Sequence, residues 1–263
     1  MKLQIKDLSF GYHKEKVLNT ITMEVEPMLT AVIGPNAAGK STLLKCISGI
    51  LKPEGTLLYN GRRRSQYNRQ ELQALISYLP QNNTNRAVLT VFETVLLGRL
   101  DSLSWRVSDE DLEIVLCIMQ DIGISHLAQR PLNELSGGQQ QMVYIAQALV
   151  RYPKLFLMDE PTNNLDLAHQ FEIFKFIKDL TDKRDITTVV ALHDLNMAAR
   201  FAEQIVVLHR GEIISSGEPA QVLTEDMIRV VYGVRARVST DIDGVPIVTP
   251  IHAVKKTLYW NAV

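Results

Sequence analysis

The segment that follows residue 33 has the residue types and spacing of a phosphate-binding loop. It runs through Gly34, Pro35, Asn36, Ala37, Ala38, Gly39, Lys40, Ser41 and Thr42, and fits the pattern G-x-x-x-x-G-K-[ST]. A tight turn of this kind aims backbone N–H groups inward, and the N-terminus of a following helix adds positive potential for phosphates. Lys40 could then reach the β- and γ-phosphates of a nucleotide, and the Ser41 hydroxyl could ligate Mg²⁺.

A second group of glycines stands about a hundred residues later. Leu135-Ser136-Gly137-Gly138-Gln139 precedes apolar residues at helical spacing. Ser136 and Gln139 form an S-x-x-Q capping box, which places both glycines in the first turn of a helix. Bare backbone there would offer unpaired N–H groups to an anion. An ordinary capped helix is the alternative interpretation.

Two acids end an apolar run, Leu155-Phe156-Leu157-Met158-Asp159-Glu160. A carboxylate at the C-terminal end of a buried strand faces the ligand crevice of a parallel sheet. This position suits Asp159 to hold Mg²⁺ through water, and Glu160 to orient and deprotonate an attacking water. A solvated acidic pair at a strand end is the alternative.

The elements that must position these residues follow from hydrophobic periodicity. Compact apolar strands are predicted between helical stretches, at Leu29 to Ile33, Leu155 to Met158, Thr187 to Leu192 and Ile205 to Leu208. This order favours an α/β fold with a mostly parallel sheet. Alternating residues near the N-terminus predict an antiparallel edge sheet, with one irregularity between Leu3 and Phe10 and a second strand from Ile21 to Val25.

Helical periodicity dominates from Val91 to Val150, which predicts a helical insertion in the α/β core. One helix would begin with a capping box at Ser108 and Asp111 and bury a single face, made of Leu112, Val115, Leu116, Met119 and Ile122. Near the C-terminus, a helix is predicted from Glu225 to Val231 and a hairpin from Val238 to Val248.

Composition narrows the class of protein. The 263 residues carry a formal net charge of −1, which gives no global field for nucleic acid, and Arg62 to Arg64 are interpreted as a solvated turn. Cys46 and Cys117 lie among apolar residues and are expected in the core. No signal peptide and no stretch of about 18 apolar residues is present, so we expect any membrane role to come from a partner.

Together these motifs resemble the ATPase subunit of ATP-binding-cassette (ABC) transporters, with Leu135 to Gln139 similar to the signature motif of that family. The resemblance covers residues 1 to about 231. It implies ATP and Mg²⁺ as ligands and a head-to-tail pair of chains. Ser136, Gly137, Gly138 and Gln139 of one copy would close over the γ-phosphate held by Lys40 of the other.

The resemblance also implies roles for isolated residues. His193, after an apolar strand, is similar to the switch histidine that contacts the γ-phosphate. Gln81 is similar to the glutamine that touches the metal and water and senses the membrane partner. Tyr12 resembles the aromatic residue on which adenine stacks, and Asn164-Leu165-Asp166 resembles the loop that crosses the dimer interface.

Three positions depart from the family pattern. Ala37 stands where relatives commonly carry glycine, so a positive φ there would cost about 1 kcal/mol. Gln140 and Met142 stand where many relatives carry arginine.

Local features resemble the subfamily that imports iron chelates, haem and cobalamin. They are Thr90 to Arg99, Leu165 to Gln170 and the tail from Val231 to Val234, with His169 regarded as a marker on a helix surface. An exporter subunit, or a soluble cassette ATPase of translation or DNA repair, is the alternative.

This resemblance implies separate permease subunits, an extracytoplasmic substrate-binding protein and a peripheral position on the cytoplasmic face of the membrane. The expected single ABC domain has a nucleotide-binding core of residues 1–84 and 151–231. It also has a helical subdomain at 85–150 and a C-terminal extension at 232–263.

Overall fold

The computed structural model describes residues 1–13, 15–81, 89–99, 107–163 and 165–254. The strands are β1 (Leu3–Tyr12), β2 (Glu15–Val25), β3 (Leu29–Ile33), β4 (Glu54–Tyr59), β5 (Arg62–Arg63), β6 (Ile76–Leu79), β7 (Leu155–Asp159), β8 (Thr187–Leu192), β9 (Gln204–His209), β10 (Glu212–Gly217), β11 (Val234–Thr240) and β12 (Pro246–Ala253). The α-helices are α1 (Lys40–Ser48), α2 (Arg69–Leu75), α3 (Val91–Leu97), α4 (Asp109–Asp121), α5 (Gly137–Leu149), α6 (Leu167–Arg184), α7 (Leu195–Phe201), α8 (Pro219–Val222) and α9 (Glu225–Tyr232). In the described part of the chain, no helix has the length and apolarity to cross a bilayer.

The central sheet has six strands in the order β10-β9-β3-β8-β7-β6, and only the β10–β9 pair is antiparallel. Every residue of β3, β7 and β8 is buried, as expected for parallel strands covered by helices on both faces. The predicted α/β fold and its four apolar strands are therefore confirmed. The carboxyl ends of β3, β6, β7 and β8 share one edge, where the candidate site lies.

The N-terminal antiparallel strands form a separate sheet of four, in the order β2-β1-β4-β5. Only two of these strands, β1 and β2, were predicted from the sequence. The pairing of β1 with β2 shifts register three times between Ile5 and Gly11, so the prediction of one irregularity was wrong. The interpretation of the arginine run as a solvated turn was also incomplete, because Arg64 is half-buried and its Nη2 donates to the Gly49 carbonyl at 3.1 Å.

The middle of the chain contributes α3, α4 and α5, as predicted. The Ser108 capping box is present, and its Asp111 also pairs with Arg99. However, Leu116 is 52% exposed, and Cys117 is exposed too, so both were wrongly assigned to the core. The buried face of α4 instead turns through Val115, Ile118 and Met119.

The predicted C-terminal hairpin is confirmed as β11 and β12, and it packs on α7. Asn196 makes two hydrogen bonds with the backbone of Val248, at 2.8 and 3.2 Å. Arg200 of the same helix forms ion pairs with Asp241 and Asp243. Because α7 begins two residues after His193, the hairpin braces the segment that carries this histidine.

Candidate functional site

The phosphate loop (residues 34–42) connects β3 to α1, as the sequence predicts. Lys40 is only 5% exposed, and its Nζ donates to the Gly34 carbonyl at 2.8 Å and the Pro35 carbonyl at 3.3 Å. Burial lowers the pKa of the Lys40 ammonium, and the carboxylates of Glu160 and Asp159 partly offset this effect. The loop therefore presents a buried cation at the N-terminus of a helix.

Glycine is required at Gly34 and Gly39 for different reasons. A Cβ at Gly34 would lie 2.0 Å from the Leu208 carbonyl oxygen, so the loop could not approach β9 with any side chain there. Gly39 has a φ of 105°, which L-residues rarely adopt.

Ala37 occupies the left-handed region with a φ of 61°, so the expected strain is present in the loop. Replacing Ala37 by glycine removes about 1 kcal/mol of strain but adds roughly 0.4–1 kcal/mol of unfolded-state entropy. We expect A37G to leave the free energy of unfolding unchanged or slightly raised in denaturant titrations. The neighbouring Ala38 is buried and does not have a positive φ, so A38G should destabilise by about 1 kcal/mol. Equal destabilisation by both changes would contradict the strain at Ala37.

Asp159 ends β7 beside the first turn of α1. Its Oδ1 accepts from the Ser41 hydroxyl at 3.0 Å, and its Oδ2 accepts from the Tyr78 hydroxyl at 3.2 Å. Burial raises the pKa of the Asp159 carboxyl, although both hydrogen bonds act in the opposite direction. Sequence reasoning missed Tyr78, whose only signal was its place in the strand that ends before Gln81.

Glu160 is fixed by its backbone and its side chain. Its φ of 51° is unusual for a residue other than glycine, and its N–H donates to the Ala191 carbonyl of β8 at 3.1 Å. Glu160 Oε2 accepts from Gln81 Nε2 at 2.6 Å and from the Asn163 amide. The carboxylate is 8% exposed and held between groups from three strand ends.

His193 links this carboxylate to the phosphate-loop lysine. Its Nε2 contacts Glu160 Oε1, and its Nδ1 lies 3.4 Å from Lys40 Nζ. Because the lysine ammonium can only donate, the neutral tautomer that satisfies both contacts carries its proton on Nε2. The structure thus brings Lys40, His193, Glu160 and Gln81 together from distant positions in the sequence.

A cleft of about 870 Å³ opens over these residues. Asn36 to Thr42 line it together with Gln81, Glu160 and His193, and so do several residues that were not predicted: Glu15, Lys16, Val17, Asn163, Arg210 and Gly211. Tyr12 does not line it. This residue is 44% exposed and packs edge-on against Phe10, while its backbone pairs with Glu15 at the cleft wall.

The signature residues lie elsewhere on the same chain. Ser136 caps α5 and forms the predicted capping box with Gln139, whereas Ser136 and Gly137 are exposed outside the cleft. Asp166 caps α6 by accepting from the backbone N–H of His169 at 3.0 Å. Asn164 of the same loop lies outside the described residues.

Comparison with known proteins agrees with this geometry. The sequence model of the ABC transporter family matches residues 18–163. An uncharacterised ABC transporter ATP-binding protein of Methanocaldococcus jannaschii is 41% identical, with 95% of this chain and 98% of the relative covered. The ferric enterobactin transport ATP-binding protein of Escherichia coli is 36% identical, with 95% and 94% covered.

Among solved structures, one chain of a metal-chelate type ABC transporter in an inward-facing conformation is similar with a TM-score of 0.83. It is 26% identical, and the match covers 95% of this chain and 97% of that one. The family match includes the phosphate loop and the strand that carries Asp159 and Glu160. This chain belongs to the ABC transporter ATPases, the subunits that bind ATP and hydrolyse it to drive transport.

Proposed function

We propose that this chain hydrolyses Mg²⁺-ATP between two copies of itself and so powers a membrane importer for an iron–siderophore complex, haem or cobalamin. The observation that carries the hydrolytic part is the network around Glu160. A carboxylate at a strand end contacts Gln81, Asn163 and His193 in the cleft that also holds Lys40. The near full-length similarity to an enterobactin transport subunit supports the import part.

Nucleotide binding would use the phosphate loop and its flanks. The β- and γ-phosphates accept hydrogen bonds from the loop N–H groups and from Lys40, whose Nζ exchanges its carbonyl partners for them. Tyr12, at the end of β1 beside the cleft, would stack on adenine.

The oxygen donors around Ser41 suit a magnesium ion. Its hydroxyl lies 3.0 Å from Asp159 Oδ1. Gln81 donates its amide nitrogen to Glu160, and among the described residues its carbonyl oxygen has no hydrogen-bond partner. Hard oxygen ligands of this kind are those that Mg²⁺ prefers. Ser41, Asp159 and Gln81 would hold the ion, which would neutralise charge on the phosphate oxygens.

Hydrolysis requires a water aligned with the γ-phosphorus. We assign Glu160 as the base that orients this water and accepts its proton while the bond from the γ-phosphorus to the bridging oxygen breaks and ADP leaves. His193 contacts Glu160 and Lys40. A small movement would replace its contact with Lys40 by a contact with the γ-phosphate. Lys40 and the N-terminus of α1 stabilise the charge that develops on the transferred phosphoryl group.

The second copy would complete the site. In one chain, Ser136 and Gly137 are exposed and do not line the cleft, so the Ser136 hydroxyl and the Gly137 N–H stay away from a nucleotide bound to Lys40 of that chain. A head-to-tail pair would bring them over the γ-phosphate of the partner copy, with Asp166 near the contact. Each nucleotide would then lie between the Lys40 cleft of one copy and the signature turn of the other.

Family membership implies permease subunits as partners and a peripheral association with the membrane. We propose that the association is on the cytoplasmic face and that a substrate-binding protein delivers the cargo on the other side. Gln81 and residues 82–105 would form the coupling surface, of which residues 89–99 are described. These residues lie in or next to the helical subdomain proposed for residues 85–150.

Reconstitution with the co-purified permease tests the import proposal. Vesicles with this chain on the inside should accumulate one of three cargo classes, namely iron–siderophore complexes, haem or cobalamin, only when ATP is inside and the binding protein outside. The K40A chain is the matched control, and uptake should fall to background because the phosphate-loop cation is gone. ATP-dependent loss of cargo from preloaded vesicles would instead identify an exporter and overturn the proposal.

A further inference from the structure

The second signature glycine packs against a histidine of another helix. Gly138 is buried, and a Cβ there would lie 2.6 Å from Cδ2 of His169 and 3.0 Å from its Cγ. Atoms essentially never approach a real Cβ that closely. A side chain at Gly138 would therefore force the His169 ring to shift, whatever an anion requires of the same glycine.

A contact at the opposite edge of the His169 ring holds the imidazole beside Gly138. His169 Nδ1 lies 2.8 Å from Asp166 Oδ1, and the same carboxylate oxygen accepts the His169 backbone N–H at 3.0 Å. Asp166 is the N-cap of α6, so the ring is tied to the start of that helix. An ionised carboxylate can only accept a hydrogen bond, so this contact assigns a proton to Nδ1.

The neighbouring glycine has a looser contact with the same segment. A Cβ at Gly137 would lie 3.2 Å from Cδ2 of Leu165, the residue before Asp166. The first turn of α5 thus lies against the first turn of α6 at Gly138 and against the residue before the α6 N-cap at Gly137. Any rotation of α5 that moved Ser136 and Gly137 would drive Gly138 into the His169 ring or leave a gap beside it.

We propose that His169 is a positioning residue for hydrolysis. Its ring, oriented by Asp166, forms the wall that fixes the start of α5, so that the Ser136 hydroxyl and the Gly137 N–H face the nucleotide of the partner copy. This inference rests on the proposed function, because the signature turn acts in the paired state. It replaces the interpretation of His169 as a surface marker, although the side chain remains 43% exposed.

Three substitutions distinguish the contribution of the His169 ring from that of its hydrogen bond to Asp166. H169A removes both, H169N keeps a donor for Asp166 without the ring, and H169F keeps a ring without the donor. We expect H169A and H169N to lower kcat about tenfold, since small misplacements of a catalytic group have large effects on rate. H169F should retain at least about a third of kcat, because the wall is the larger part of the effect.

The measurements are steady-state ATPase kinetics, nucleotide titration and thermal unfolding. Nucleotide affinity and the unfolding midpoint should stay at wild-type values in all three variants, because Lys40 and the core are untouched. E172A, an exposed change on the same helix, is the matched control and should behave as wild type. Full kcat in H169A, or H169F as slow as H169A, would overturn the proposal.

A double-mutant cycle tests the contact independently of hydrolysis. G138A should lower the unfolding midpoint because its methyl group meets the ring, and adding H169A should restore most of that loss. If the two substitutions change the unfolding midpoint additively, the His169 ring is not what a methyl group at Gly138 meets. If the cycle is coupled but wild-type protein shows no ATPase activity, the proposed function fails and the packing stands; if wild type hydrolyses ATP and the cycle is additive, only this inference fails.

Discussion

Glu160→Gln should leave ATP binding intact and lower the rate of hydrolysis by about 10² to 10⁴, the usual contribution of a general base. The substitution preserves shape, so the contacts with Gln81 and Asn163 can persist through the remaining carbonyl oxygen. It removes the group that we assign as the acceptor of the proton of the attacking water. Phosphate release under saturating Mg²⁺-ATP measures the loss, and nucleotide titration measures the retained affinity.

The variant should also accumulate as an ATP-bound pair, since closure no longer leads to turnover. Size-exclusion chromatography with Mg²⁺-ATP would then show a dimer that the wild-type chain forms only transiently. E172Q makes the same chemical change at an exposed position of α6 and is the matched control. Near-full ATPase activity in E160Q would show that Glu160 is not the base and that another group in the cleft has this role.

Linear motifs predicted most of this site because each motif sits at the end of a strand. In a parallel sheet the carboxyl ends meet at one edge, so Lys40, Asp159 and His193 had to converge once their strands were identified. The approximate strand positions followed from short continuous apolar runs, whose length favours strands over helices. Local capping boxes, such as that of Ser136, were equally accessible because they involve residues three apart.

Contacts between distant elements were not predictable from these patterns. The hydrogen bond from Tyr78 to Asp159 depends on the register between β6 and β7, and the contact of His169 with Gly138 depends on how two helices cross. The same limit explains Leu116 and Cys117. Helical periodicity indicates that one face of α4 is buried, but only tertiary packing determines where the edge of that face falls.

The second large effect concerns the pairing of two chains. In the proposed pair the signature turn acts on the nucleotide of the other copy, so a defect at Lys40 and a defect at Ser136 should complement each other in a mixed pair. K40A removes the phosphate-loop cation. S136D keeps an N-cap residue on α5 but places a negative charge beside the γ-phosphate. Each variant alone should lose about 99% of ATPase activity, as expected when one electrostatic contact to a reacting group is removed or reversed.

An equal mixture should recover roughly a quarter of wild-type activity, because half of the pairs are mixed and each has one intact site of two. That site joins Lys40 of the S136D chain to Ser136 of the K40A chain. S136N retains the N-cap without the charge, so it should stay far more active than S136D and show that charge, not helix capping, causes the defect. Activity of the mixture no higher than the average of its parts would place the signature turn and Lys40 in the same chain's site. The exposed position of Ser136 outside the cleft argues against that arrangement, and mixing the two chains decides between them.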